Sequence, residues 1–201
     1  MNTPHPRFPV IGQAVPHRGN AFSTWLAQSA MRLAGWRIDG NFPDTGKFVA
    51  IVAPHTSNWD FFVGVAAIFS LRLRIRFFIK DTVFHWPIDN ILDWLGGIPI
   101  DRTQTHGVVA QAVGDFERRD QLVLAITPEG TRRRGVPWHT GFYRIAVGAK
   151  VPIVPVTFDY RERVICLGPA LYPNGDADTD IAKLKAYCSG NSPPALSEVR
   201  I

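Results

Sequence analysis

The sequence predicts an α/β domain in which helices flank a mixed, largely parallel sheet. Two observations predict it. Apolar runs of strand length, at residues 48–53, 122–127 and 151–160, alternate with longer stretches whose apolar residues recur at helical spacing. The first two runs also stop at a turn-forming or charged stretch, as a buried strand does where it meets a loop. With 201 residues, 46% of them hydrophobic and 19% charged, the balance is that of an ordinary globular chain and most simply of one domain.

Residues 1–20 hold four prolines and two glycines and read as an extended leader ahead of a single domain over residues 21–201. An N-terminal amphipathic helix follows from about Phe22 to Gly35, with Phe22, Trp25, Leu26, Leu33 and Trp36 near one face. Such a face either packs on the core or lies in a membrane interface, for which two tryptophans and nearby arginines are suited. A turn through Gly40, Pro43, Asp44 and Gly46 delivers the chain to the first strand, residues 48–53. Pro54 opposes helical continuation from the residue before it, and Ser57, Asn58 and Asp60 are each capable N-caps for a helix that begins near Asp60.

From Leu71 to Arg76 apolar and basic residues alternate with the period of a strand, although the first of them equally suit the end of the preceding helix. Arg72, Arg74, Arg76 and Lys80 form either a patch for phosphates or a solvated strand face. Residues 84–95 read as a short aromatic-rich helix closed by Gly96-Gly97, and residues 98–102 as an extended segment ending in charge. Residues 103–119 form a helix with Val108, Val109, Ala112, Val113 and Phe116 inward. The strand at 122–127 stops at a proline- and glycine-bounded loop, residues 128–135, that concentrates three consecutive arginines. A helix at 141–150, strands at 151–160 and 163–167, and a helix at 178–188 complete the order.

In a sheet of this kind the loops after the strands' C-terminal ends collect at one edge, and ligands bind there. His55, Arg102 and the stretch from Glu129 through Gly130 and Thr131 to Arg132 each follow a strand-like segment in this way. His55 and Asp60 are five positions apart, which on a continuous helix would turn them about 140° from one another. His55 therefore belongs to the loop if it is to meet Asp60. A carboxylate that accepts one ring N–H fixes the tautomer and leaves the other nitrogen as a base. A surface histidine beside a capping aspartate fits the hexapeptide as well.

The net charge of +5 favours an anionic partner. No module of the nucleic-acid-binding kinds is recognisable, so a nucleic-acid partner is not expected. Cys166 and Cys188 are too few for a disulfide framework, which points to a reducing compartment. No second histidine stands at ligand spacing from His55, so no metal is expected, and no Gly-x-Ser-x-Gly elbow suggests a serine hydrolase. No stretch offers the roughly 20 apolar residues that a membrane-spanning helix needs.

Four blocks in a fixed order resemble the glycerolipid acyltransferases of the lysophosphatidic acid acyltransferase type. They are His55 and Asp60; Gly97-Ile98-Pro99-Ile100-Asp101-Arg102; Pro128-Glu129-Gly130-Thr131-Arg132; and Val151-Pro152-Ile153-Val154-Pro155-Val156. The resemblance covers about residues 48–157. Two positions depart from it: the first block usually begins Asn-His-Gln-Ser where this chain has Pro54-His55-Thr56-Ser57, and an aromatic common before the third block's proline is Thr127.

The resemblance implies a glycerol-phosphate-acyltransferase-like fold and transfer of a fatty acyl chain from acyl-CoA or acyl carrier protein, as co-substrate, to a lysolipid hydroxyl. His55 would be the general base and Asp60 its orienting carboxylate, with no acyl-enzyme and no cofactor. Arg102, Glu129, Gly130, Thr131 and Arg132 would bind the acceptor, for example lysophosphatidate. The setting implied is the membrane surface, at its cytoplasmic face, with the protein held peripherally. Two alternatives stand beside this one: an acceptor without a phosphate, such as a lyso-ornithine lipid, and a non-catalytic protein that binds anionic lipid.

Overall fold

The computed structural model describes residues 7–54, 57, 59–83, 85–86, 88–100, 105–130 and 136–190. In chain order the described elements are α1 (Ala21–Leu33), β1 (Arg37–Asp39), β2 (Lys47–Val52), α2 (Trp59–Ser70), β3 (Arg76–Lys80), α3 (Ile88–Leu95), β4 (Gly97–Ile100), α4 (Thr105–Arg118), β5 (Leu122–Ile126), α5 (Gly141–Ala149), β6 (Ile153–Asp159), β7 (Val164–Leu167) and α6 (Ala177–Cys188). The strands form one seven-stranded sheet in the order β1-β7-β6-β2-β5-β3-β4. Each neighbouring pair is parallel except β6 with β7. The mixed, largely parallel sheet expected from the alternating pattern is the one that forms.

Strand β2 lies centrally between β5 and β6 and is apolar on both faces, as parallel strands covered by helices are. Phe48 and Ala50 face a core built with Met31 of α1 and Ala67 of α2. Val49 and Ile51 face a second core built with Phe116 of α4, Phe142 and Ile145 of α5 and Leu184 of α6. A two-residue period on one strand thus serves two helical layers.

Strand β1 was not expected: with three residues it is too short to show a period, and its pairing with β7 defines it. The alternating run from Leu71 is not a strand before Arg76. Leu71, Leu73 and Ile75 are buried while the chain turns, Arg72 has φ 55°, and Leu73 bridges to His17. Strand pairing proper starts at Arg76, which aligns with Leu124 of β5. The four cations are therefore not one patch. Arg72 reaches the carbonyl of Gly19, whereas Lys80 stands at the other end of β3.

Of the residues read as an extended leader, the described ones, 7–20, include several packed on the domain. Phe8, Ile11 and Val15 are buried in the first core, and the carbonyls of Pro16 and Arg72 accept the N–H groups of Arg74 and Arg18 at 2.8 and 2.6 Å. Helix α1 begins at Asn20, whose side chain and that of Ser23 cap each other's backbone N–H groups at 2.9 and 3.0 Å. Its inward side is not the apolar stripe. Met31 is buried and Gln28 donates to the Ser70 carbonyl at 3.0 Å, while Phe22, Trp25, Leu26 and Leu33 are exposed. Spacing shows which residues share a face; it does not show which way the face points. Among the described residues no helix is long and apolar enough to cross a membrane.

Candidate active site

Five neighbouring strands, β6, β2, β5, β3 and β4, run parallel, so their C-terminal ends at Asp159, Val52, Ile126, Lys80 and Ile100 meet one edge. The sequence candidates follow three of these ends: His55 and Asp60 after β2, Arg102 after β4, and the stretch Glu129 to Arg132 after β5. His55, Arg102, Thr131 and Arg132 lie outside the described residues. Asp60, Glu129 and Gly130 are described.

Asp60 sits in the first turn of α2 and is 4% exposed. Its Oδ2 accepts the Ser57 N–H at 3.0 Å, while the Ser57 hydroxyl accepts the Trp59 N–H at 3.1 Å. The two bonds brace Ser57 against the first turn of α2. The other oxygen, Oδ1, accepts the hydroxyl of Tyr160, one hundred residues later in the chain. A carboxylate accepts about four hydrogen bonds, so these two do not preclude another from an imidazole.

Tyr160 was read only as the last residue of a strand. Parity could have pointed to it: Val154, Val156 and Phe158 fall at every second position on one side of β6, and Tyr160, in the turn just past the strand's end, is the next position in that count. Val154 and Val156 belong to the core beneath α2. Burial first, then the hydrogen bond to Asp60 and its charge, push the Tyr160 phenol above its usual range, and the Ser57 hydroxyl opposes the shift. Tyr160 is therefore a protonated donor at neutral pH.

From this carboxylate a cavity of about 540 Å³ runs between α2 and the sheet. Its wall on α2 is Asp60, Phe61, Gly64, Val65 and Ile68, residues spaced along one helical face. Opposite them stand Val52 of β2, Phe77 of β3, Ala125 of β5 and Phe158 of β6, with Ile75 also lining it. The lining is apolar apart from Asp60, Lys80 and Thr127, and the volume is in the range of ligand sites. Asp60 and Ile68 are eight residues apart on α2, about 12 Å at the helical rise.

Gly130 also lines the cavity. It closes a turn by donating its N–H to the Thr127 carbonyl at 3.1 Å, with φ +61°, and a β-carbon there would lie 3.1 Å from the His139 ring. The His139 N–H in turn holds the Pro128 carbonyl at 2.8 Å. Glu129 is 9% exposed. Burial, and then the charge of Glu129, push the Cys188 thiol at the end of α6 up to about 12. Among the described residues no group of three or more His, Cys, Asp or Glu is placed to hold a metal ion.

The profile of the family described as "Acyltransferase" matches residues 20–159, from the cap of α1 to the last residue of β6. The chain belongs to the acyltransferase family. It is 33% identical over 112 residues to the 1-acyl-sn-glycerol-3-phosphate acyltransferase of Escherichia coli (strain K12), a match over 52% of this chain and 44% of that enzyme. It is 27% identical over 178 residues to the 1-acyl-sn-glycerol-3-phosphate acyltransferase of Haemophilus influenzae, over 78% of this chain and 72% of the other. The chain thus spans less than half of the first relative's length. The crystal structure of the 1-acyl-sn-glycerophosphate acyltransferase of Thermotoga maritima superimposes with a TM-score of 0.60 at 16% identity, covering 85% of this chain and 78% of that one. At that identity the likeness is one of fold.

Proposed function

We propose that this acyltransferase moves a fatty acyl chain from an acyl thioester, acyl-CoA or acyl carrier protein, to the hydroxyl of a lysophospholipid such as lysophosphatidate. The observation that carries the reading is the cavity: an apolar channel with a carboxylate at one end and Lys80 among its lining residues suits an acyl chain with an ionic head. The relatives named for 1-acyl-sn-glycerol-3-phosphate support the same acceptor.

In this reading His55 removes the proton from the acceptor hydroxyl as its oxygen attacks the thioester carbonyl carbon. The C–S bond then breaks as the tetrahedral oxyanion collapses, and the thiolate takes the proton back from the imidazolium. The thioester is already activated, so no acyl-enzyme is required. Asp60 orients the imidazole and stabilises its charged form. Arg102 and Arg132 hold the acceptor phosphate through their planar forks, with Glu129 on an acceptor hydroxyl or an arginine, Gly130 letting the backbone approach, and Thr131 among the acceptor-binding residues. The protein rests peripherally on the cytoplasmic face of the membrane, a placement supported by the exposed aromatic side chains Trp25, Trp59 and Phe62 and by the charge of +5.

The test is acyl transfer by the purified chain from palmitoyl-CoA to lysophosphatidate, with a lyso-ornithine lipid in parallel. His55→Ala is expected to lose about 10² to 10⁴-fold in rate. Full activity in both His55→Ala and Asp60→Ala would sink these roles. Turnover of the ornithine lipid alone would move the acceptor to a head group without phosphate, and lipid binding with no turnover of any donor would make the protein a non-catalytic binder.

A further inference from the structure

We propose that Tyr160 is the positioning residue for Asp60, its phenolic O–H holding the carboxylate in place for the general base. The inference rests on the reading of Asp60 as the carboxylate through which His55 acts. In that role Asp60 must be fixed in orientation although it is 4% exposed, and burying a carboxylate is costly unless hydrogen bonds replace its lost water. Among the described residues, Ser57 and Tyr160 donate to it on opposite oxygens. The Ser57 N–H belongs to the same helix start and is set by the local backbone. The Tyr160 hydroxyl comes from the end of β6 and ties the first turn of α2 to the sheet.

Geometry separates this role from mere packing. Tyr160 as a residue is 42% exposed, yet its hydroxyl is turned inward onto Asp60 Oδ1. Its ring is braced edge-on by Trp36, with centroids 5.2 Å apart and planes at 89°, and Trp36 is itself anchored in the core. A buried indole thus fixes the ring, and the ring fixes the hydroxyl. The phenol remains protonated across the working pH range, because burial and the neighbouring carboxylate both oppose its ionisation. It therefore gives Asp60 a hydrogen bond without adding a charge that would compete with an imidazolium.

Tyr160→Phe removes one oxygen and leaves the brace on Trp36. With the full chain, acyl-CoA and lysophosphatidate, kcat is expected to fall on the order of tenfold, the effect of losing one hydrogen bond to a charged group. KM for both substrates is expected to stay at the wild-type value, and Tm to fall by on the order of 5 °C with the loss of the tie, which leaves the protein folded at assay temperature. In an Asp60→Asn background the same substitution is expected to cost less than about twofold, since the charge it serves is gone. Wild-type kcat in Tyr160→Phe overturns the inference, as does a raised KM with kcat intact or a fall in kcat that only tracks lost folded protein. Wild-type kcat in Asp60→Asn alone overturns instead the underlying reading of Asp60, and the inference with it.

Discussion

Asp60 and Gly64 lie one helical turn apart on the face of α2 that lines the cavity, so the carboxylate and the apolar channel share one helix surface. A β-carbon at Gly64 would meet the Phe158 ring at 3.9 Å, an ordinary contact, and anything longer projects into the channel. Gly64→Leu is therefore expected to fold at least as stably as the parent, since leaving glycine in a helix interior gains up to about 1 kcal/mol. It should also shift donor preference from palmitoyl- to octanoyl-CoA by at least about tenfold, the scale on which pockets sense methylene groups. Competition between the two donors, read by mass spectrometry of the product, checks it. An unchanged ratio would mean that the acyl chain lies elsewhere.

Gly130 presents a different constraint. With φ +61° and the His139 ring 3.1 Å from any added β-carbon, alanine meets both an unfavourable backbone region and a contact. Gly130→Ala is expected to lower Tm by on the order of 5 °C. Adding His139→Ala relieves the contact but not the dihedral, so the double variant should recover part of the loss. Complete recovery, or none, in thermal melts would show that only one of the two terms operates.

Much of the fold was legible because parallel strands buried on both faces read as continuous apolar runs. The runs at residues 48–53, 122–127 and 151–160 stand out in this way, and each falls within two residues of a strand. Asp60 and Gly130 line one cavity, which agrees with the rule that ligands gather at the strands' C-terminal ends. What escaped was relational. The stripe Phe22, Trp25, Leu26 and Leu33 was visible, but its outward direction depends on Met31 and Gln28 packing against α2. The alternation from Leu71 to Arg76 looked like a strand because buried residues in a turn leave the same trace. Tyr160 and the channel itself exist only once β6 is seated beside β2.

Cys188 gives a pH dependence with a definite sign. Burial, followed by the Glu129 charge, pushes its thiol up to about 12, so the folded state holds the proton more tightly than the unfolded chain does. That contribution is fully present below the unfolded value, near 9, and is lost progressively as pH rises from there toward about 12. Tm is therefore expected to fall between about pH 9 and pH 11, and to fall less steeply in Cys188→Ala. The alanine starts from a lower Tm at neutral pH through the volume it loses, so the slope carries the test. Equal slopes in a melting series across that window would remove Cys188 as a cause.

The outward stripe of α1 leads to a prediction about the membrane. Trp25 and Leu33 are 60% and 89% exposed, and the ring that Trp25 meets, Phe22, is itself exposed, so replacing both with serine should lower Tm by only a few degrees. If the stripe inserts at a bilayer surface, each apolar side chain removed takes away burial that only the lipid supplies, on the order of 1–3 kcal/mol for a large side chain. Trp25→Ser with Leu33→Ser is therefore expected to reduce binding to vesicles of phosphatidylglycerol and phosphatidylcholine by at least about tenfold. Turnover of lysophosphatidate dispersed in detergent should remain at the wild-type rate, because neither residue lines the cavity. Sedimentation with vesicles and a detergent assay separate the two effects. Undiminished vesicle binding would assign membrane contact, if any, to Trp59 and Phe62 beside the carboxylate rather than to α1.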